Sequence, residues 1–147
     1  MTRASGEQQA SAQDLLIKSE VETALSLLQA IFTKHLQGDM TLEQAKKLGA
    51  DLLRDLRYGP DGYFWADTEE GVNVVLYGSD VEGRSRLEEQ DQHGTFVVKE
   101  MLAKAKAGGG YVEYAFPRKG ERTPQPKRSY VQPFKPFGWV VGTGYYR

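Results

Sequence analysis

The sequence predicts an α+β fold built on a five-stranded antiparallel sheet, and three observations lead to that prediction. Helical periodicity fills the first third of the chain and returns once more before residue 108. The remaining apolar segments are short, rich in aromatic residues and mostly joined by hairpin-length turns. The last segment, Trp139–Tyr146, is uncharged on both faces, as is typical of a strand in the middle of a sheet. From this pattern alone, the helices are expected on one side of the sheet.

The composition describes one domain over residues 1–147, with a helical part at 1–40 and a sheet-bearing core at 41–147. With 39% hydrophobic and 27% charged residues, a chain of this length can bury a core. The 19 basic and 20 acidic residues nearly balance, so nucleic acid binding is not expected. Cysteine is absent, which excludes disulfides and thiolate metal sites.

Residues 7–37 are predicted to form one long helix, because neither glycine nor proline interrupts them. Apolar side chains recur at three- and four-residue steps, as at Ile17, Val21, Leu28 and Ile31. A helix of this length spans about 46 Å, whereas a compact domain of this size is roughly 40 Å across. The helix is therefore either a solvated amino terminus or a stalk that reaches toward a membrane or a dimer partner.

A second helix begins at a capping box formed by Thr41 and Gln44 and ends before Gly59 and Pro60. Arg57 lies in its last turn, where the helix dipole favours cations. Two interpretations of Arg57 follow. It either complements the dipole or pairs with an aspartate, or it points into a pocket below the sheet and binds an anion.

The first predicted hairpin joins residues 62–67 to residues 72–77. Side chains alternate across a strand, so Tyr63 and Trp65 share one face and Phe64 takes the other.

The segment after this hairpin, residues 78–94, is a long connection whose positive and negative charges balance. It is expected at the solvated surface, and loops this long often act as lids. The remaining predicted elements are a helix at 95–107, a strand at 111–116, a basic loop at 117–126, a strand at 129–134, a turn at 135–138 and the last strand at 139–146.

Two glycines in the last strand, Gly142 and Gly144, indicate a bend or the close approach of another group. At the start of the preceding strand, Lys127 and Tyr130 place a cation and a phenol near each other in sequence. We expect buried core residues and functional residues to lie side by side in this part of the chain.

Motifs of common enzymes are missing. No glycine-rich phosphate loop precedes a helix, and no G-x-S-x-G segment occurs. His35 and His93 are far apart, so neither a metal site nor a cofactor is expected. We expect a protein that is not an enzyme. A calcium sensor is the weaker alternative, since its oxygen ligands would cluster in one loop.

A set of aromatic residues and cations remains as the candidate site. A cation beside phenols and an indole suits a small carboxylate, because the cation pairs with the anion and the hydroxyls donate. Alternatively, these aromatic residues belong only to the core, with their hydroxyls bonded to the backbone. The candidate ligand-binding residues are Arg57, Tyr63, Trp65, Tyr77, Tyr114, Lys127 and Tyr130.

Several segments carry a resemblance to a known family. The pattern Lys127-x-x-Tyr130-Val131, followed by Phe137-Gly-Trp-Val-Val-Gly-Thr-Gly-Tyr145, resembles the end of a single Cache domain. The resemblance continues upstream through residues 56–65 and 108–114. This family forms extracytoplasmic sensor domains of bacterial chemoreceptors and sensor kinases. Similar sequences usually have His-Pro where this chain has Tyr77-Gly78, which removes any contact that a histidine would make.

The resemblance implies a PAS-like sheet with the long helix on one face and a ligand pocket on the other, under the connection and the short helix. It implies the periplasmic sensor domain of a chemotaxis receptor, with membrane helices outside this sequence and a homodimer formed through the amino-terminal helix. The implied ligand is a small carboxylate such as acetate, propionate or pyruvate. Alternatives are the sensor domain of a histidine kinase and a soluble small-molecule-binding domain.

Overall fold

The computed structural model describes residues 6–147, with side chains from residue 12 onward. Residues 1–5 of the predicted 1–40 segment lie outside this part of the chain. The helices are α1 (Gly6–Leu36), α2 (Leu42–Asp55) and α3 (Val97–Lys106). The strands are β1 (Arg57–Tyr58), β2 (Gly62–Tyr63), β3 (Trp65–Thr68), β4 (Asn73–Leu76), β5 (Gly110–Pro117), β6 (Pro124–Phe134) and β7 (Trp139–Tyr146).

The two amino-terminal helices form as their sequences predict. The predicted apolar stripe of α1 is buried from Ile17 through Val21 and Leu28 to Ile31. At the start of α2, the Thr41 hydroxyl accepts the backbone N–H of Gln44, and the Gln44 side chain accepts the Thr41 N–H. Two otherwise unpaired backbone donors are thereby satisfied.

The five long strands form one antiparallel sheet in the order β4-β3-β7-β6-β5. The prediction that β7 is a central strand is confirmed. A short turn at Lys135–Phe137 joins β6 to β7 and closes on Gly138, whose φ of 69° is in the left-handed region that glycine adopts without strain.

The predicted strand at 62–67 is interrupted at Phe64. Its first two residues turn away from the sheet and pair with β1 instead, as a separate two-stranded unit. Phe64 is buried against the aromatic ring of Tyr58 on the helix side, which fixes the bend. The Thr143 hydroxyl donates to the carbonyl of Tyr63 at 2.6 Å, so this backbone acceptor at the end of β2 is paired.

Helices cover both faces of the sheet, so the expectation from the pattern alone, helices on one side, is wrong. The two-sided arrangement that the resemblance implied is confirmed. On the face covered by α1 and α2, the helix face, the core contains Leu28, Phe64 and Val141. On the face covered by α3, the α3 face, it contains Trp65 and Met101. Adjacent residues of β3 and β7 thus contribute to two different cores.

Candidate functional site

The α3 face of the sheet buries a lysine. Lys127 lies on β6, is 2% exposed, and directs its Nζ to the hydroxyl of Tyr63 at 2.9 Å. In register with it are Tyr114 on β5 and Tyr146 on β7. Because β6 and its neighbours hold the lysine from both sides, the ammonium position is set by rigid sheet structure.

Aromatic rings surround this ammonium group. Its Nζ lies 4.7 Å from the ring centroids of both Tyr63 and Trp65, 4.9 Å from Tyr146 and 5.2 Å from Phe116. Ring faces attract a cation weakly compared with a carboxylate. Among the described residues, no carboxylate pairs with Lys127. Burial, and then the nearby Arg86 charge, lower the pKa of Lys127 to about 7.

The two glycines of β7 make room for this cluster. A Cβ atom at position 142 would lie 2.6 Å from the indole of Trp65, and one at position 144 would lie 3.0 Å from Cε of Lys127. The distance of 2.6 Å is far below ordinary contact, and that of 3.0 Å is at its short limit. A larger residue at either position would therefore displace the cluster. The close approach predicted for Gly142 and Gly144 is therefore present.

Two further predicted tyrosines belong to the same cluster. Tyr77 packs edge-on against Tyr63, with ring centroids 5.1 Å apart. It adopts a φ of 38°, which is unusual for a residue other than glycine and marks the end of the β3–β4 hairpin. The Tyr114 hydroxyl is hydrogen bonded to Ser129 at 2.8 Å. Burial raises the pKa of Tyr63 and Tyr114 far above the ordinary value, so both phenols stay neutral.

Arg86 is a buried cation that the sequence analysis placed at the solvated surface. It is 4% exposed, and its Nη1 lies 3.3 and 3.4 Å from the two carboxylate oxygens of Asp67 on β3. The nearest acid to its Nε is Glu89, at 3.6 Å, and this Nε has no hydrogen-bond acceptor. One signal was available in the sequence: an acidic residue, Asp67, in an otherwise apolar strand.

The indole N–H of Trp65 is also buried, and none of the described residues provides an acceptor for it. Buried donors are nearly always paired, so two unpaired donors in one cluster are unusual. Together with the lysine, this part of the molecule holds an excess of donors and positive charge. Such a set is suited to an anion.

Arg57 is exposed and does not belong to the cluster, contrary to its prediction as a charge partner. Its guanidinium donates to the carbonyls of Arg54 and Leu56 at the carboxyl end of α2. That position matches the other interpretation of Arg57, in which it complements the helix dipole.

Tyr130 also lies elsewhere, because it is three residues from Lys127 on the same strand. An odd spacing places two side chains on opposite faces. Tyr130 packs with Ile17 and Val21 on the helix face, and its hydroxyl donates to the Gln132 side chain. The structure thus brings together Tyr63, Trp65, Tyr77, Tyr114 and Lys127.

Two cavities flank the cluster. One, of about 240 Å³, lies where β2 turns away from β7 and is lined by Tyr63, Gly144 and Tyr146. The other, of about 220 Å³, lies under the connection and is lined by Arg86 and Phe116. Either volume accommodates an acid of a few heavy atoms. The described residues contain no group of three or more histidine or acidic side chains arranged to hold a metal ion.

Comparisons with known proteins agree with this architecture. The model of single Cache domain 2 matches residues 9–147. The chain is 32% identical over 133 residues to the methyl-accepting chemotaxis protein McpP of Pseudomonas putida, covering 86% of this chain and 24% of McpP. It is 37% identical over 124 residues to the sensor histidine kinase MctS of Rhizobium johnstonii, covering 84% of this chain and 26% of MctS. The chain thus spans about a quarter of the length of these curated relatives.

Two solved structures are similar along nearly their whole length. One is described as the structural basis for carboxylic acid recognition by a Cache chemosensory domain, with a TM-score of 0.91, 32% identity and coverage of 97% of this chain and 99% of that one. The other is a periplasmic sensor domain of a chemotaxis protein, with a TM-score of 0.88, 30% identity and coverage of 94% and 96%. Within residues 6–147, none of the helices is both long and apolar enough to cross a bilayer.

Proposed function

The chain belongs to the single Cache domain 2 family, and we propose that it is the ligand-binding sensor domain of a chemotaxis receptor on the periplasmic side of the membrane. Family membership supports a sensor that carries no chemistry of its own. In such a domain a ligand acts by shifting a conformational equilibrium, and the output is limited by its differential affinity for the two states. The absence of enzymatic activity stays a prediction for this chain.

The ligand that we propose is a small monocarboxylate such as acetate, propionate or pyruvate. The observation that carries this proposal is the ammonium of Lys127, which is buried among aromatic rings and has no carboxylate partner among residues 12–147. A ligand carboxylate would supply the missing counter-charge, and a buried charge is strongly stabilised by such a partner. The carboxylic acid recognition described for the structural neighbour supports the same ligand class.

Three hydrogen-bond donors besides Lys127, and two aromatic walls, are proposed to complete the site. Tyr63 is already hydrogen bonded to Lys127 and can share the ligand oxygen with it. The unpaired N–H groups of Trp65 and Arg86 are proposed as further donors, because a carboxylate accepts about four hydrogen bonds. Arg86 takes the role of charge partner that was expected of Arg57.

Tyr77 and Tyr114 are proposed as walls that limit the size of the ligand.

Calorimetric titration of the C2 to C6 monocarboxylates and pyruvate at pH 6 tests this proposal. For the wild type, affinity is expected to rise along the first members, by about 0.8 kcal/mol per buried methylene, and then to fall when the chain meets the aromatic walls. Affinity that keeps climbing through C6 would indicate an open apolar groove and contradict the small-acid ligand.

Variants locate the site. Lys127→Met is expected to weaken binding by about 1.5–3 kcal/mol, or roughly ten- to hundredfold, because it removes a charge-assisted hydrogen bond. Arg57→Ala is the matched control, since it removes an exposed cation outside the cluster. Equal affinity in the wild type and Lys127→Met would remove Lys127 from the site.

A histidine kinase is the second candidate for the whole protein, because identity to the kinase MctS is 37% and that to McpP is 32%. The two candidates differ in the part of the protein that follows the sensor. Sequencing the gene on both sides of this region would identify the output domain, either a methyl-accepting signalling helix bundle or a kinase core.

A homodimer through α1 remains part of the proposal. Leu15 and Leu16 are 65% and 49% exposed near the amino-terminal end of α1, before its buried stripe begins at Ile17. Apolar side chains on a long helix are suited to contact with a second copy. Sedimentation equilibrium is expected to show a dimer at high protein concentration and its loss in Leu15→Lys/Leu16→Lys. A strict monomer in the wild type at millimolar concentration would contradict it.

A further inference from the structure

We propose that at mildly alkaline pH the site takes up its carboxylate together with a proton, because Lys127 is then a neutral amine in the empty domain and becomes an ammonium when the anion binds. This inference rests on the proposed function and concerns how the same site is regulated. Its consequence is that the net species bound is the undissociated acid. The affinity would then depend on the pH of the compartment even though the ligand itself is ionised throughout.

The first argument is the geometry around the amine. Its only hydrogen-bond partner among the described residues is the Tyr63 hydroxyl, at 2.9 Å. A phenol both donates and accepts, so this hydrogen bond persists when the nitrogen loses its proton. The four surrounding rings attract the charged form only weakly, and burial of an unpaired charge is costly. At mildly alkaline pH the neutral amine is therefore the stable form until an anion arrives.

The second argument is the balance of charges that face the amine. Arg86, in the connection between β4 and α3, opposes protonation, although its pairing with Asp67 on β3 offsets part of its charge. Asp61, in the turn between β1 and β2, favours protonation but forms an ion pair with Arg118 at 3.3 Å. Among the described residues, the other titratable groups that face the cluster are the phenols of Tyr63 on β2, Tyr77 after β4, Tyr114 on β5 and Tyr146 on β7. One further cation, Lys119 in the loop after β5, has its Nζ 5.7 Å from the ring centroid of Tyr77.

These phenols do not supply a negative charge. Burial raises the pKa of Tyr63, Tyr77 and Tyr114 above the ordinary value, and that of Tyr146 to about 12. The buried residues of α3, which packs over the site, are Val97, Val98, Met101 and Ala105, all without charge. Burial and the Arg86 charge together lower the pKa of Lys127 to about 7, in agreement with the neutral form at mildly alkaline pH.

The third argument is access for the proton. The cavity of about 240 Å³ reaches Tyr63, Gly144 and Tyr146. The rings of Tyr63 and Tyr146 lie 4.7 and 4.9 Å from Nζ, and Gly144 has no side chain to close the gap. Lys127 does not itself line this cavity, so the proton has to pass between the rings of Tyr63 and Tyr146 to reach the amine.

Calorimetry in paired buffers tests the proposal on the wild-type domain. Propionate is titrated at pH 8 in phosphate and in Tris, whose ionisation enthalpies differ, so that the difference in heat counts the protons taken up. About 0.9 proton per ligand is expected at pH 8 and almost none at pH 5.5. The dissociation constant is expected to rise roughly 30-fold between pH 6 and pH 8.5. Absence of proton uptake at pH 8, with a constant affinity, would overturn the inference.

Variants assign the proton to one residue. The double variant His35→Gln/His93→Gln is expected to retain the uptake at pH 8, because neither histidine belongs to the cluster around Lys127. Lys127→Arg is expected to abolish it, since a guanidinium stays charged over this range. Proton uptake that persists in Lys127→Arg contradicts the assignment.

A direct measurement covers the case in which the arginine does not fit. In the wild type labelled with ¹³C at lysine Cε, one signal, absent from Lys127→Met, is expected to titrate near neutral pH without ligand and to stay unchanged to pH 9 with propionate. A Lys127 signal that titrates only above pH 10 in the free domain overturns the inference. Failure of every C2 to C6 acid to bind at pH 6 would instead overturn the proposed function, while the titration of the free domain still decides the state of Lys127.

Discussion

The two faces of the sheet are built from the same strands but differ in how their polar groups are paired. On the helix face, the buried hydroxyls of Tyr58 and Thr143 bond each other at 2.7 Å, and Thr143 also bonds the Tyr63 carbonyl. On the α3 face, within the part of the chain that the structure describes, Lys127 has no acidic partner and the N–H of Trp65 has no acceptor.

The difference indicates that the helix face stabilises the domain, whereas the α3 face carries the groups that we propose to bind a ligand. Packed apolar side chains with paired hydroxyls lower the free energy of folding. A buried, unpaired lysine raises it, and such a cost persists where function requires it. Adjacent residues of a strand can serve the two purposes because they point in opposite directions. In β6, Lys127 faces the site while Arg128 faces α1.

The largest expected effect on stability comes from the helix face. Leu28 is fully buried between α1 and α2, so Leu28→Ala is expected to lower the free energy of unfolding by about 3–5 kcal/mol. Propionate affinity of the folded domain is expected to stay unchanged. Urea unfolding and calorimetry below the transition measure the two quantities. A large loss of affinity without unfolding would show that the two faces are not independent.

The opposite result is expected on the α3 face. Lys127→Met is expected to raise the free energy of unfolding by roughly 2–4 kcal/mol at pH 6, and by much less at pH 10. The sign follows from the lowered pKa of Lys127: between pH 7 and 10 the unfolded chain binds the extra proton, so wild-type stability rises with pH in this range. Urea unfolding at both pH values measures it. A destabilised variant at pH 6 would mean that Lys127 is structurally required.

A pair of tyrosines compares the faces by affinity alone. Tyr63→Phe removes the hydroxyl that bonds Lys127 and is expected to weaken propionate binding about fivefold, or about 1 kcal/mol. Tyr130→Phe removes a hydroxyl on the helix face and is expected to leave the affinity unchanged. Equal weakening in both variants would contradict the separation of the faces.

The smallest expected effect is at the contact of α1 with the sheet. Asp14 accepts hydrogen bonds from Arg128 at 2.9 Å and from the Tyr145 hydroxyl at 2.9 Å. Partial burial raises the pKa of Asp14, but these partners outweigh it, and the pKa is below its ordinary value. Asp14→Asn is therefore expected to cost about 0.5–1 kcal/mol at pH 7.

The difference between wild type and Asp14→Asn is expected to vanish as the pH falls through the lowered pKa, because the wild-type carboxyl then becomes protonated. Thermal unfolding from pH 7 to pH 3 follows this change. A difference that grows in acid would contradict the pairing.

Local pattern alone determined most of the secondary structure. Helical periodicity identified α1 and its stripe, the capping box identified the start of α2, and the lack of charge identified β7 as the central strand. These features depend on neighbours within a few residues, so they can be predicted from the sequence. The family resemblance is confirmed by the match over residues 9–147. Side-chain alternation also predicts that Tyr130 and Lys127 lie on opposite faces of the sheet, because their spacing along the strand is odd.

Tertiary structure decided which cations are buried. The sequence predicts Arg57 in the last turn of a helix and Arg86 in a charged connection. In the structure Arg57 is exposed in β1, just after α2, whereas Arg86 is buried against Asp67 on β3. No periodic pattern distinguishes them, because the path of residues 78–94 over the sheet is set by contacts distant in sequence. The bend at Phe64 has the same origin, since Tyr58 and Thr143, which hold it, come from other elements. The sequence by itself therefore determined the two faces and the lysine, whereas only packing determined which partners meet that lysine.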